Sequence, residues 1–184
     1  TLSDNTLSGS KKPVVDGECA HIAVVTCQSS SETVQLCLVE LDQDSVSRQP
    51  LQTLDFSRGH AAIDFTNAAA QKLGDGAVSW RDFEALLDRA AVLMAWEQLG
   101  LADKALEQAC DYAKQRYAFG RPIGSFQAIK HKLAGMYVKN AIARSNAYYG
   151  AWALASGSES LPLAAATARV ASIQASLHAA QENI

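Results

Sequence analysis

The chain has 184 residues, 48% of them hydrophobic, and 16 Lys and Arg against 19 Asp and Glu give a formal net charge of -3. That composition excludes a disordered polymer and leaves room for one full core or two modest ones, and without a surplus of positive charge nucleic acid is a poor partner. No apolar stretch approaches the roughly 20 residues of a membrane-spanning helix, and the opening TLSDNTLSGSKK has no apolar core for a signal peptide. A cytoplasmic protein without a membrane span is expected.

Residues 1 to about 70 are rich in Val, Thr, Ser and Asp in short alternating runs, which read as strands. Residues 21–27, 33–38, 51–56 and 62–65 give four or five antiparallel strands, with Val34, Leu36 and Leu38 on one face of the second run. Mostly polar turns are expected at 28–32 and 42–47. So few strands close a sandwich or barrel poorly, so further strands are expected ahead of the sequence. Cys19, Cys27, Cys37 and Cys110 form no CxxC pair and lie in apolar contexts, where a free thiol acts as a small buried hydrophobe.

Gly74-Asp75-Gly76-Ala77-Val78 reads as a linker, and Ser79-x-x-Asp82 resembles a capping box with Asp in place of Glu. The helix it opens carries Phe83, Leu86, Leu87, Ala90, Met94 and Leu101 at helical spacing, continues through Ala105, Ala109 and Tyr112, and is stopped by Gly120 and Pro122. Ser125 is expected to cap a second helix with Phe126, Ile129, Leu133, Met136 and Tyr137 on its inner face, ending before Gly157. A third helix begins near Ser160-Leu161-Pro162. Eight alanines among its last 24 residues predict burial between neighbours. The fold class is α+β: an antiparallel β-domain fragment (1–73), a linker (74–78) and an up-and-down four-helix bundle lacking its last helix (79–184), the fourth helix being expected beyond Ile184.

Composition and periodicity leave enzyme, scaffold and interaction module open. His21, His60, His131 and His178 lack metal-ligand spacing, and no metal site is expected. Gly74-x-Gly76 alone is no phosphate loop. Trp80, Trp96 and Trp152 read as bundle packing, because no basic groove accompanies them. Glu97, amid Trp96 and Leu99, reads either as an inter-helix ion-pair partner or as a buried base.

The run from Tyr112 to Ala134, YAKQRYAFGRPIGSFQAIKHKLA, closely resembles the acyl-CoA dehydrogenase signature at the junction of two long helices in the C-terminal domain. Residues 7–21 and 34–40 resemble strands of that family's middle β-domain, and residues 175–184 resemble the helix before its glycine-rich loop. The resemblance implies FAD, an acyl-CoA substrate, α,β-dehydrogenation, electron transfer to an electron-transfer flavoprotein, and a homo- or heteromeric tetramer. It further implies that Arg116, Phe119 and Gln127 contact the adenosine-diphosphate end of an FAD bound mainly to a neighbouring subunit. A guanidinium forms paired charge-assisted hydrogen bonds to a pyrophosphate, Phe119 offers an apolar edge, and Gln127 offers donor and acceptor. The bland alternative is that Arg116 neutralises the end of its helix while Phe119 and Gln127 pack the turn.

The sequence also departs from the family's pattern. Pro13-Val14-Val15 stands in place of a Trp-Ile-Thr run that contacts the flavin ring, Asp16 replaces a common asparagine, and Ala118 replaces a polar residue. Asp88 matches an aspartate that touches CoA in relatives, yet Ala91 replaces the arginine three residues on. One family position for the catalytic glutamate falls on Ala90 and the other beyond Ile184, so the base is expected outside this chain. A non-catalytic partner subunit of a heteromeric dehydrogenase is the first alternative, and a helical scaffold without flavin the second.

Overall fold

In the computed structural model, residues 2, 3, 5–28, 33–74, 76 and 78–183 are described. Parts of the expected 28–32 turn and of the 74–78 linker, and Ile184, lie outside them. The chain divides into two compact units, Thr1–Phe83 and Glu84–Ile184.

The first unit holds β1 (Leu2–Ser3), β2 (Thr6–Val15), β3 (Ile22–Gln28), β4 (Thr33–Glu40), β5 (Val46–Pro50), β6 (His60–Ala69), β7 (Gln71–Lys72) and β8 (Val78–Ser79). One antiparallel sheet runs β1-β2-β6-β5, and the other β3-β4-β7 with β8 also on β4. They share one core built on Leu7, Val25, Cys27, Cys37, Val39, Leu41, Ile63 and Phe65, each large aliphatic or aromatic side chain stabilising by about 1.5–3 kcal/mol through burial. The strand readings are met in part. The core face of β4 is Cys37 and Val39, with Leu36 and Leu38 only half-buried. Val34, Leu36 and Leu38 share the opposite face, on which Val34 is buried. Residues 51–56 form no strand; β5 at 46–50 precedes them and overlaps the end of the expected 42–47 turn. Val46 pairs with Phe65 and Pro50 with Ala61 at a sheet edge, where a proline costs no ladder bond. Arg48 anchors this polar strand by donating to the Glu18 and Ala20 carbonyls and to Asp42 (2.5 Å). Leu54 and Phe56, 101% and 93% exposed, sit in the following loop.

The second unit begins within α1 (Trp80–Gln115), followed by β9 (Tyr117–Ala118), β10 (Arg121–Pro122), a 3-10 turn (Ile123–Ser125), α2 (Gln127–Ser156) and α3 (Leu161–Glu182). Ser79 caps α1: its Oγ accepts the Asp82 N–H (3.2 Å) and donates to the Asp82 carboxylate (2.7 Å). Asp is too short to reach back to the cap's own N–H, so it bonds the hydroxyl instead. Gly157, at φ 63°, ends α2, with the Gly157 and Ser158 N–H groups returning to the Leu154 and Ala153 carbonyls. Ser125 is not a cap. It lies in the 3-10 turn and donates to the Pro122 carbonyl (2.7 Å), and Phe126, without a side-chain acceptor, occupies the cap position of α2.

The three helices run up, down and up around Leu99, Ala102, Ala105, Met136, Ala143, Ala147, Ala175 and Ala179. Small residues set the spacing: a Cβ on Gly150 would stand 3.3 Å from both Ala168 Cβ and Val92 Cγ2. Asp103 on α1 receives Asn140 (3.2 Å) and Arg144 (2.5 Å) from α2, and Arg169 of α3 donates to Gln98 of α1. The inner face of α1 is therefore Val92, Ala95, Leu99, Ala102, Ala105 and Ala113, not the Leu86, Leu87, Met94, Leu101 and Tyr112 expected from spacing, which are exposed. Likewise α3 buries Ala164, Ala165, Ala168, Ala175 and Ala179 and leaves Leu163, Val170 and Leu177, seven residues apart, exposed.

Candidate functional site

Where α1 ends, the chain folds into a short hairpin whose shape follows from a few residues. The Arg116 N–H still bonds the Tyr112 carbonyl (2.9 Å), and the Arg116 carbonyl accepts the Ile123 N–H (2.7 Å), closing the hairpin base. Ala118 pairs with Arg121 and Tyr117 with Pro122, so Phe119 and Gly120 are the two turn residues. Both have positive φ, 54° and 78°, as in the primed turn that matches strand twist in two-residue hairpins. Glycine takes this conformation freely, whereas a phenylalanine is strained there by about 1–3 kcal/mol. The strained residue is also 95% exposed. Solvent burial does not hold it there.

The ring is supported from one side. Phe119 meets Phe126 edge to face (centroids 6.1 Å apart, planes at 84°), and the Arg121 guanidinium lies 4.1 Å above the Phe126 ring. Gly124 brings the turn onto α1 so closely that a Cβ there would sit 2.9 Å from the Ala113 carbonyl oxygen. α2 then starts at Gln127, exposed, at a helix N-terminus with no side chain accepting from its first N–H groups. Arg116 is likewise exposed. Twelve residues thus present a guanidinium, an aromatic edge, a carboxamide and an uncapped helix N-terminus, donors suited to a phosphate beside an apolar ring.

The remaining candidates stand apart. Asp88 is half-buried on α1, 27 residues before Gln115, about 40 Å along the axis at 1.5 Å per residue. Ala90 is exposed and Ala91 half-buried on that stretch. Glu97 is exposed, which removes the burial that the buried-base reading needs. In the β unit, Lys11 to Val15 of β2 and Ala23 to Thr26 of β3 line an open cavity of about 360 Å³ floored by Ile63 and Phe65. Pro13, Val14 and Val15 contribute no polar side-chain atom to it.

Trp96 packs on the bundle core, its ring against Tyr148 (4.9 Å, 90°), as expected. Trp80 and Trp152 are instead half exposed, Trp152 stacked on Tyr149. Cys27 and Cys37 are buried 3.7 Å apart, and burial together with the Cys27 thiol pushes the Cys37 thiol up to about 11, while Cys19 is exposed, contrary to expectation. Among the described residues, no group of three His, Cys, Asp or Glu can hold a metal ion, and no helix is long and apolar enough to cross a membrane. Sequence reasoning missed Arg121 and Gly124. The signal for the first is a cation five residues before an aromatic across a tight turn.

Antiparallel strands followed by three long helices match the β-domain and the C-terminal helical domain of acyl-CoA dehydrogenases. The chain belongs to that family: residues 74–183 match its model for the acyl-CoA dehydrogenase C-terminal domain. It is 39% identical over 132 residues to the acyl-CoA dehydrogenase IpdE2 of Mycolicibacterium smegmatis, covering 72% of this chain and 37% of the relative. The butyryl-CoA dehydrogenase of Megasphaera elsdenii superposes with a TM-score of 0.88 at 24% identity, covering 98% of this chain and 50% of that one, a likeness of fold. The ChsE4-ChsE5 complex from Mycobacterium tuberculosis gives 0.82 at 26% identity, covering 97% and 48%. The chain spans half or less of the length of these proteins.

Proposed function

We propose that this chain is part of an FAD-dependent acyl-CoA dehydrogenase and supplies the edge that grips the adenosine-diphosphate end of FAD. The observation that carries this is the hairpin, which gathers Arg116, Phe119 and Gln127 within one short, strained and outward-facing element. The donor set fits the group: Arg116 and the α2 N-terminus meet the pyrophosphate, Phe119 the adenine or ribose, and Gln127 a ribose or phosphate oxygen. By contrast, Pro13, Val14 and Val15 add no side-chain donor for a flavin's polar edge to the cavity they line, whose polar side chains are Lys11, Lys12 and Thr26. That contrast supports an FAD shared between subunits, with its ring held mainly by a neighbour.

FAD would accept hydride from the β-carbon of an acyl-CoA. Asp88 would lie toward CoA. The proton acceptor comes from outside this chain, because Ala90 cannot accept a proton and Glu97 lies about 10 Å further along α1. Electrons would leave to an electron-transfer flavoprotein from a tetramer, in the cytoplasm. A second reading, the non-catalytic partner of a heteromeric dehydrogenase, is favoured by the apolar Pro13–Val15 strand and by Ala90 and Ala91, and the likeness to a two-component complex supports it. The absorption spectrum of the full-length protein, alone and co-expressed with the products of neighbouring genes, separates the two. A flavin band from the protein alone supports the dehydrogenase itself, a band only in the co-expressed assembly supports the partner reading, and no band in either refutes both.

A further inference from the structure

Arg121 is exposed at the start of β10, one residue past the turn that carries Phe119. Its guanidinium carbon lies 4.1 Å above the centre of the Phe126 ring, and the Phe119 ring stands nearly perpendicular to that ring, with centroids 6.1 Å apart. Cation, ring and ring therefore form a stack of three, and its last member is a side chain in a backbone conformation that glycine favours. Phe126 is only half-buried, and Phe119 is almost wholly exposed. Neither ring is locked by a core. The cation on one face of Phe126 fixes that ring, and the fixed ring fixes the Phe119 ring set against it.

We infer that Arg121 is a positioning residue for the adenosine end of the dinucleotide: by clamping Phe126 it holds Phe119 ready to receive the adenine or ribose. The inference rests on the reading above that this hairpin grips FAD. It differs from a direct phosphate contact. A phosphate ligand acts through its charge on the anion, whereas a clamp acts through the ring beneath it, and any cation that stacks on Phe126 substitutes for it. It also differs from a general role in folding, because the stack lies at the surface, outside the bundle core.

The test is a fluorescence titration of the flavin-free full-length assembly with FAD, at two ionic strengths, alongside its unfolding midpoint. Arg121→Gln should weaken FAD binding roughly 3- to 30-fold, the range for a cation on an aromatic face, with the midpoint unchanged. Arg121→Lys, which keeps a cation over the ring, should restore binding to within about threefold. Phe126→Leu should produce a similar loss, and Arg121→Gln with Phe126→Leu should lose no more than either alone, since both break one stack. Wild-type affinity in Arg121→Gln, losses that multiply in the double variant, or a loss explained by a lowered midpoint would each overturn the inference. A loss whose size falls steeply with added salt and that Phe126→Leu does not share would instead make Arg121 a direct phosphate ligand. If Phe126→Leu does not fold, the Gln and Lys variants decide alone. If Arg116→Ala also binds FAD like wild type, the reading of the hairpin as an FAD grip fails; if only Arg116→Ala is weakened, the positioning role alone fails.

Discussion

Two glycines in the second unit make opposite predictions for the same added methyl group. Gly124 lies in the turn against α1, and a Cβ there would stand 2.9 Å from the Ala113 carbonyl oxygen and 3.3 Å from its carbonyl carbon and its Cβ. Two of these three atoms belong to a helix backbone and cannot swing aside. Gly124→Ala must push the turn off α1, at a cost of about 1–3 kcal/mol for overpacking. At roughly 2–4 °C per kcal/mol for a chain of this size, the unfolding midpoint drops by several degrees. Gly100, exposed in the middle of α1, has no atom within 4 Å of such a Cβ, so Gly100→Ala should stabilise by about 0.5–1 kcal/mol. Thermal unfolding of the full-length protein measures both, and a flavin titration of the Gly124 variant should show weakened FAD binding, because the shifted turn carries Phe119 and Arg121. Equal midpoints for the two variants, or a destabilised Gly124→Ala with FAD affinity intact, would refute the argument that this contact places the hairpin.

Leu99, almost fully buried among the three helices, should lose about 2–5 kcal/mol on Leu99→Ala, read as a shift in urea midpoint. The Asp42 carboxyl is held below its ordinary range by hydrogen bonds from His21 and then Arg48. A depressed carboxyl stabilises above the unfolded value and loses that contribution as pH falls through the folded one, so Asp42→Asn should flatten the loss of stability below about pH 4; parallel curves for variant and wild type would contradict this. Glu97→Gln should leave acyl-CoA turnover of the full-length assembly within a few-fold, whereas a loss of several orders of magnitude with FAD still bound would make α1 the source of the base.

The class of fold and the order of its parts were legible because β-branched alternation and alanine-rich helical periodicity are local properties. Which face is buried was less so. On α1 the large side chains Leu86, Met94 and Leu101 advertised the core, yet three helices packed as closely as Gly150 requires bury alanine and leave those residues outward. Hydrophobicity marks a face that seeks cover, and this helix has two. The strand at 46–50 was hidden because Val-Ser-Arg-Gln-Pro has no apolar alternation: it is held by its backbone ladder to β6 and by the Arg48 side chain. At the hairpin, Arg116, Phe119 and Gln127 stand out through their resemblance to a known signature, whereas the approach of Arg121 to Phe126 does not, since only the turn brings residues 121 and 126 together.

The most direct measurement is the flavin-to-protein ratio of the purified full-length assembly, and its FAD dissociation constant, with Arg116 intact and in Arg116→Ala. If Arg116 grips the pyrophosphate, FAD binding weakens by about 1.5–3 kcal/mol, roughly 10- to 150-fold, while the unfolding midpoint of the flavin-free protein stays unchanged. A lowered midpoint with flavin occupancy intact would contradict this and leave Arg116 as no more than the positive end-cap of its helix.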